Sequence, residues 1–177
     1  EIDQDSPEQS RQFKTDLIQA MFTAAKQAYI EYQHCHNPEP DFDHTDDGHQ
    51  FDYYFNKGKL GFYTLDMRGH HDIENNPDGE RLLGAVQHQR FKQWIETEAT
   101  DKDALFITSP VPMVHWHSTF VNSLDVLGAK DDFRDEWDHE SNYKERDRIL
   151  DLVFEFSSAS GKPVIFLSGD VHCAGIF

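Results

Sequence analysis

Val164-Ile165-Phe166-Leu167-Ser168-Gly169-Asp170-Val171-His172 is the stretch on which the fold turns. Four apolar residues make a short strand of the kind found inside α/β sheets. Its polar tail then places a carboxylate and an imidazole at the strand's carboxyl end, where ligands of open α/β folds bind. If the extended geometry continues, Asp170 and His172 project to the same side and can serve one metal cluster. Gly169 would let the backbone come close to the ions. A strand end closed by a polar turn would read the same way, because Gly-Asp-x-His is short.

Upstream of this strand, Tyr143, Ile149, Leu150, Val153 and Phe154 recur at helical spacing and predict a helix. Before it, Ala104-Leu105-Phe106-Ile107-Thr108, closed by Pro110, reads as a second buried strand. Leu83, Val86, Phe91, Trp94 and Ile95 predict another amphipathic helix. Further back lie two strand-like runs, Phe51 to Phe55 and Leu60 to Leu65. Asn56-Lys57-Gly58-Lys59 joins them as a hairpin turn. At the start, Ser6-Pro7-Glu8-Gln9 is a capping box followed by apolar residues from Phe13 to Tyr29 on one face, a long helix to about Gln33. His34 to Gln50, with four histidines, two prolines and many Asp residues, reads as a loop, as does Arg68 to Arg81. Pro110 to Asp138 is irregular, with one helical turn expected near Phe120 to Leu127. The order helix, hairpin, helix, strand, helix, strand predicts a layered α/β fold, without internal repeat or domain linker.

The chain has 177 residues, 37% hydrophobic and 13% aromatic with 14 Phe, which is the profile of a globular domain. A formal net charge of -17 repels phosphate backbones and argues against sequence-independent nucleic-acid binding. An acidic chain still handles an anionic substrate where metal ions reverse the charge locally. No apolar run reaches membrane-spanning length, so no transmembrane segment is expected. Cys35 and Cys173 allow one disulfide and leave the compartment open. The chain starts at Glu1 without methionine, so its N-terminus is expected to lie upstream.

Other candidate groups cluster after strands. Asp66 and Arg68 follow the strand ending at Leu65. Arg68 is placed to fork onto a phosphate, with Asp66 bracing it or reaching a metal; a structural ion pair is the competing reading. His115 and His117 are either a second ligand pair or loop histidines beside Trp116. His70 and His71, being adjacent, would point apart. The acidic run Asp131 to Asp138 by itself reads as a solvated loop or a loose calcium site. There is no Gly-x-Ser-x-Gly elbow, no Walker loop and no Gly-x-Gly-x-x-Gly.

In order, Leu65-Asp66-Met67-Arg68, Leu83-Gly84-Ala85-Val86-Gln87 with Trp94-Ile95, Ile107-Thr108-Ser109-Pro110-Val111-Pro112, Asp135-Glu136-Trp137-Asp138 with Arg146, and Leu167-Ser168-Gly169-Asp170-Val171-His172 resemble the PhoD-like phosphatase family of the calcineurin-like metallophosphoesterases. The resemblance covers about Tyr53 to the C-terminus, and the first helix is compatible with it. It implies a partial layered α/β/β/α metallophosphoesterase sandwich, with residues 1–177 as the C-terminal part of a single catalytic domain. It implies two or more metal ions, of iron, calcium, manganese or zinc, and hydrolysis of phosphate mono- or diesters by a metal-bound hydroxide. The implied roles are metal coordination for Asp170 and His172 and transition-state charge stabilisation for Arg68, with Asp66 beside it.

Two departures from the family pattern stand out. Ser109 occupies the place where the wider superfamily has a metal-binding histidine, which suggests a different metal set. The family's N-terminal Asp-x-x-Asp and Asp-Asp-His ligands would precede Glu1, so the fragment alone is expected to be inactive. The alternative function is a non-catalytic scaffold of the same fold that binds a partner or calcium.

Overall fold

In the computed structural model, residues 7–38, 51–69, 82–114 and 136–169 are described. Residues 1–39 and 40–177 form two compact units. The first holds helix α1, Pro7–Tyr32, closed by a 3-10 turn at His34–His36. Pro7 stands at its first position, as its fixed φ favours. The apolar stripe predicted on one face is present, and Phe13, Leu17, Ile18, Met21 and Phe22 are all exposed on it.

The second unit is built on a four-stranded mixed sheet of order β1-β2-β3-β4. The strands are β1 Tyr53–Lys57, β2 Leu60–Thr64, β3 Ala104–Ser109 and β4 Val164–Ser168. β1 and β2 form the expected hairpin, with Lys57 opposite Leu60. Its turn needs a residue at positive φ, which Gly58 supplies at 61°. β2, β3 and β4 run parallel. The crossovers carry helices α2, Gly84–Glu96, and α3, Tyr143–Ser160, so this is the mixed α/β class that the sequence pattern predicts, consistent with part of an α/β sandwich.

Register sets which residues share a face. Tyr54, Tyr63, Ile107 and Phe166 align across the sheet on the side of the core. Tyr63 meets Phe91 of α2 edge-on at 5.1 Å and Trp94 at 5.2 Å. Ile149 and Val153 of α3 complete the same core. The opposite face carries Phe55, Phe62 and Phe106, stacked at 4.7 and 4.9 Å. They are only partly buried, and Ile165 in the same row is 40% exposed. A continuous apolar run predicts a strand covered on both faces; here β4 ends the sheet among the described residues, with Ile165 and Leu167 exposed. Among the described residues of this unit the helices, α2 and α3, pack on the core side, so alternation rather than full burial governs these strands.

The hairpin is tied to α2 by a buried polar cluster. Tyr63 Oη donates to Asp52 Oδ2 at 2.5 Å, and Arg90 donates to both oxygens of the same carboxylate. Asp52 and Tyr63 are fully buried. Burial, and then the Asp52 charge, push the Tyr63 hydroxyl well above the usual tyrosine range. Both oxygens of the Asp52 carboxylate have donors, which is the condition for keeping a charge in a core.

Candidate active site at the strand ends

β2, β3 and β4 finish at one edge. Thr64 pairs with Thr108, Ser109 with Ser168, and Leu65 N donates to Thr108 O at 2.9 Å. The chain therefore leaves the sheet at the same edge three times: into Asp66–Gly69, into Pro110–Val114, and at Gly169, the residue before Asp170. Parallel strands converge their carboxyl ends in this way, and crevices there are where such folds bind ligands.

The first exit is held rigidly. Asp66 Oδ1 accepts hydrogen bonds from the backbone amides of Arg68 and Gly69, both at 3.0 Å. Its Oδ2 accepts from Phe51 N at 2.8 Å. Three of about four acceptor positions of a carboxylate are thus engaged by main chain. These bonds shape the loop through the Asp66 carboxylate. Arg68 itself is exposed at the rim. The main chain of Asp66 is clasped from α2: its N–H donates to Gln87 Oε1 at 2.8 Å, and Gln87 Nε2 donates to its C=O at 2.7 Å.

The second exit is packed rather than open. Ser109 is buried; its hydroxyl donates to Val111 O at 2.6 Å and accepts from Trp137 Nε1 at 3.1 Å. Where a histidine would offer a ligand, this serine anchors an indole. Trp137 is fully buried, and Glu136 and Asp138 beside it are buried as well. The acidic run reads in sequence as a solvated loop, but its end is core. Apolar packing of Trp137 carries its neighbours inward, and Arg146 compensates by donating to Asp138 Oδ1 at 2.8 Å. Arg146 also lies over the Tyr143 ring at 4.5 Å.

Glu145 is a residue that periodicity alone does not single out. It sits in the first turn of α3, fully buried, and accepts from the backbone amides of Leu82 and Leu83, each at 2.8 Å, and of Gly84 at 3.3 Å. It supplies the α2 N-terminus with an acceptor that its own N-cap position, Leu83, does not provide. Gly84 at φ 73° makes the bend into the helix. Gln87 and Glu145 lie on helices whose sequence signal is apolar periodicity; only the ordered motif containing Leu83-Gly84 and Gln87 marks the former.

Asp170, His172, His115, His117, His70, His71 and Asp131 to Asp135 lie outside the described residues. Among the described residues no group of three or more His, Cys, Asp or Glu side chains is arranged to hold a metal. The donor chemistry of Asp170 and His172, a carboxylate and an imidazole, suits borderline first-row ions. Gly169 stands at the shared edge, and a Cβ built there would meet nothing within 4 Å among the described residues.

The sheet, its crossover helices and the three exits at one edge define an α/β domain of the ligand-at-strand-ends class. The chain matches the PhoD-like phosphatase family over residues 2–176 and belongs to that family. It is therefore placed among hydrolases of phosphate esters. No curated protein and no solved structure matches it. No helix among the described residues is long and apolar enough to cross a membrane.

Proposed function

We propose that this chain carries part of the site of a metal-dependent phosphoesterase acting on phosphate mono- or diesters at the strand-end edge. The observation that supports this reading is the convergence of β2, β3 and β4 on one edge. Along that edge the pinned Asp66–Gly69 loop follows β2, and β4, separated from β2 by β3, ends at Gly169. Asp170 and His172 are the residues that would hold metal ions, here of iron, calcium, manganese or zinc. When bound, such ions acidify a water and neutralise phosphoryl charge. Arg68, exposed at the rim on a fixed main chain, presents a guanidinium to the non-bridging oxygens of the phosphoryl group, where charge accumulates in the transition state. Asp66 holds the loop that carries it. The buried Trp137 and Ser109 pack the end of β3, between these two exits.

The test uses the full-length protein with p-nitrophenyl phosphate and bis(p-nitrophenyl) phosphate. His172→Ala is expected to lower hydrolysis at least about a hundredfold and to lower bound metal by elemental analysis, while the melting temperature changes little. The fold should survive because Ile107, Val164 and Phe166 belong to the core cluster or pack against it. Steady hydrolysis that ignores chelators and is unchanged by His172→Ala would sink the proposal. A metal-free, inactive full-length protein would instead support a non-catalytic scaffold.

A further inference from the structure

We propose that Gln87 is a positioning residue for Arg68, acting through Asp66; the inference rests on the reading of Arg68 as a substrate-contacting group. Beyond Leu65 the main chain has left both neighbours in the sheet. Pairing with β1 ends at Tyr53 and Thr64, and the last bond to β3 is that from Leu65 N to Thr108 O. Among the described residues, Asp66 is the first whose N–H and C=O have no strand beside them. Gln87 takes both, accepting at 2.8 Å and donating at 2.7 Å, with its side chain fully buried. A primary amide is the one side-chain group that offers an acceptor and a donor in the spacing of a peptide unit. Gln87 thus extends the sheet by one residue from the side of α2.

The consequence passes to Arg68 through the Asp66 carboxylate. With the Asp66 peptide planes fixed, its Oδ1 is aimed at the amides of Arg68 and Gly69, and its Oδ2 at Phe51 N. The loop is therefore pinned at residues 66, 68 and 69 on one rigid support. That support is itself anchored: α2 begins at the three amides held by Glu145. Arg68 emerges from this frame with its main chain held. Reactions that depend on charge placement lose about a hundredfold for a displacement of roughly 1 Å, so a support of this kind bears on rate and not only on stability. A Gln that merely satisfies a buried strand end would affect stability alone.

The experiment is a double-mutant cycle in the full-length protein, read as kcat/KM on p-nitrophenyl phosphate and as affinity for inorganic phosphate by calorimetry. Arg68→Ala alone tests the underlying reading: if it leaves both unchanged, Arg68 does not act on substrate, and that reading fails by itself. If Arg68→Ala lowers both, Gln87→Ala is expected to lower kcat/KM about tenfold or more in the wild type. In the Arg68→Ala background it should lower kcat/KM less than about twofold, because its effect runs through the missing guanidinium. Equal losses in both backgrounds, or no loss in the wild type, would overturn the positioning role while leaving Arg68 in place. Should Gln87→Ala not fold, Gln87→Asn serves in the same cycle, since it keeps an amide but is one methylene too short to make both bonds.

Discussion

Replacing Glu145 probes how the two crossover helices are joined. Its carboxylate accepts from three buried backbone amides at the start of α2, at 2.8, 2.8 and 3.3 Å, with no exposed surface. Each buried donor left without an acceptor costs roughly 1–3 kcal/mol. Three would cost about 3–9 kcal/mol, and water entering the space left by the side chain recovers part of that. Glu145→Ala is therefore expected to cost about 4 kcal/mol, a large share of the roughly 5–15 kcal/mol that holds a domain folded. Glu145→Gln separates acceptor loss from cavity. An amide oxygen in the place of Oε1 keeps Leu83 N and Gly84 N, whereas its NH2 group faces Leu82 N–H, donor against donor. About 2 kcal/mol follows. Urea unfolding of the full-length protein followed by circular dichroism measures both, and at a typical slope the alanine variant shifts the midpoint by about 2 M. The reasoning is refuted if Glu145→Ala stays within about 1 kcal/mol of wild type, or if the glutamine variant is the worse of the two.

Two other perturbations follow from the hairpin. The Tyr63 hydroxyl is raised above its unfolded value, so the native state binds the proton more tightly than the unfolded chain; this stabilisation is whole below about pH 10 and falls as pH climbs from there toward the folded value. Tyr63→Phe should flatten the alkaline loss of stability measured by denaturation from pH 8 to 11, and an unchanged slope would show that Tyr63 does not supply it. Gly58→Val should cost about 1–2 kcal/mol in thermal unfolding, because a side chain there meets no neighbour within 4 Å but must hold φ at 61°. Gly58→Asn should cost less, and equal losses for the two would point to something other than backbone conformation.

Local chemistry in the sequence was enough for the described helices and strands and their order; the turn expected near Phe120 to Leu127 lies outside the described residues. The hairpin at Gly58, the helices around Phe91 and Ile149 and the strands β2, β3 and β4 follow, to within a residue at their ends, from periodicity and turn residues, because those signals act within a few residues. The ordered motifs from Leu65 to His172 also point to the family that the chain belongs to. What sequence alone does not reach are pairings across 21 to 63 positions, such as Gln87 with Asp66 and Glu145 with Leu82. A buried Glu in an amphipathic helix looks like any solvated one until another helix start is packed against it. Asp66 looks like a partner for a guanidinium until three amides are seen to converge on it. Trp137 and Ser109 show the same limit: an acidic stretch reads as surface, and only the closing of the chain over the end of β3 makes it core. Hydrogen-bond partners and burial are properties of distance in space, and only tertiary packing brings these residues within it.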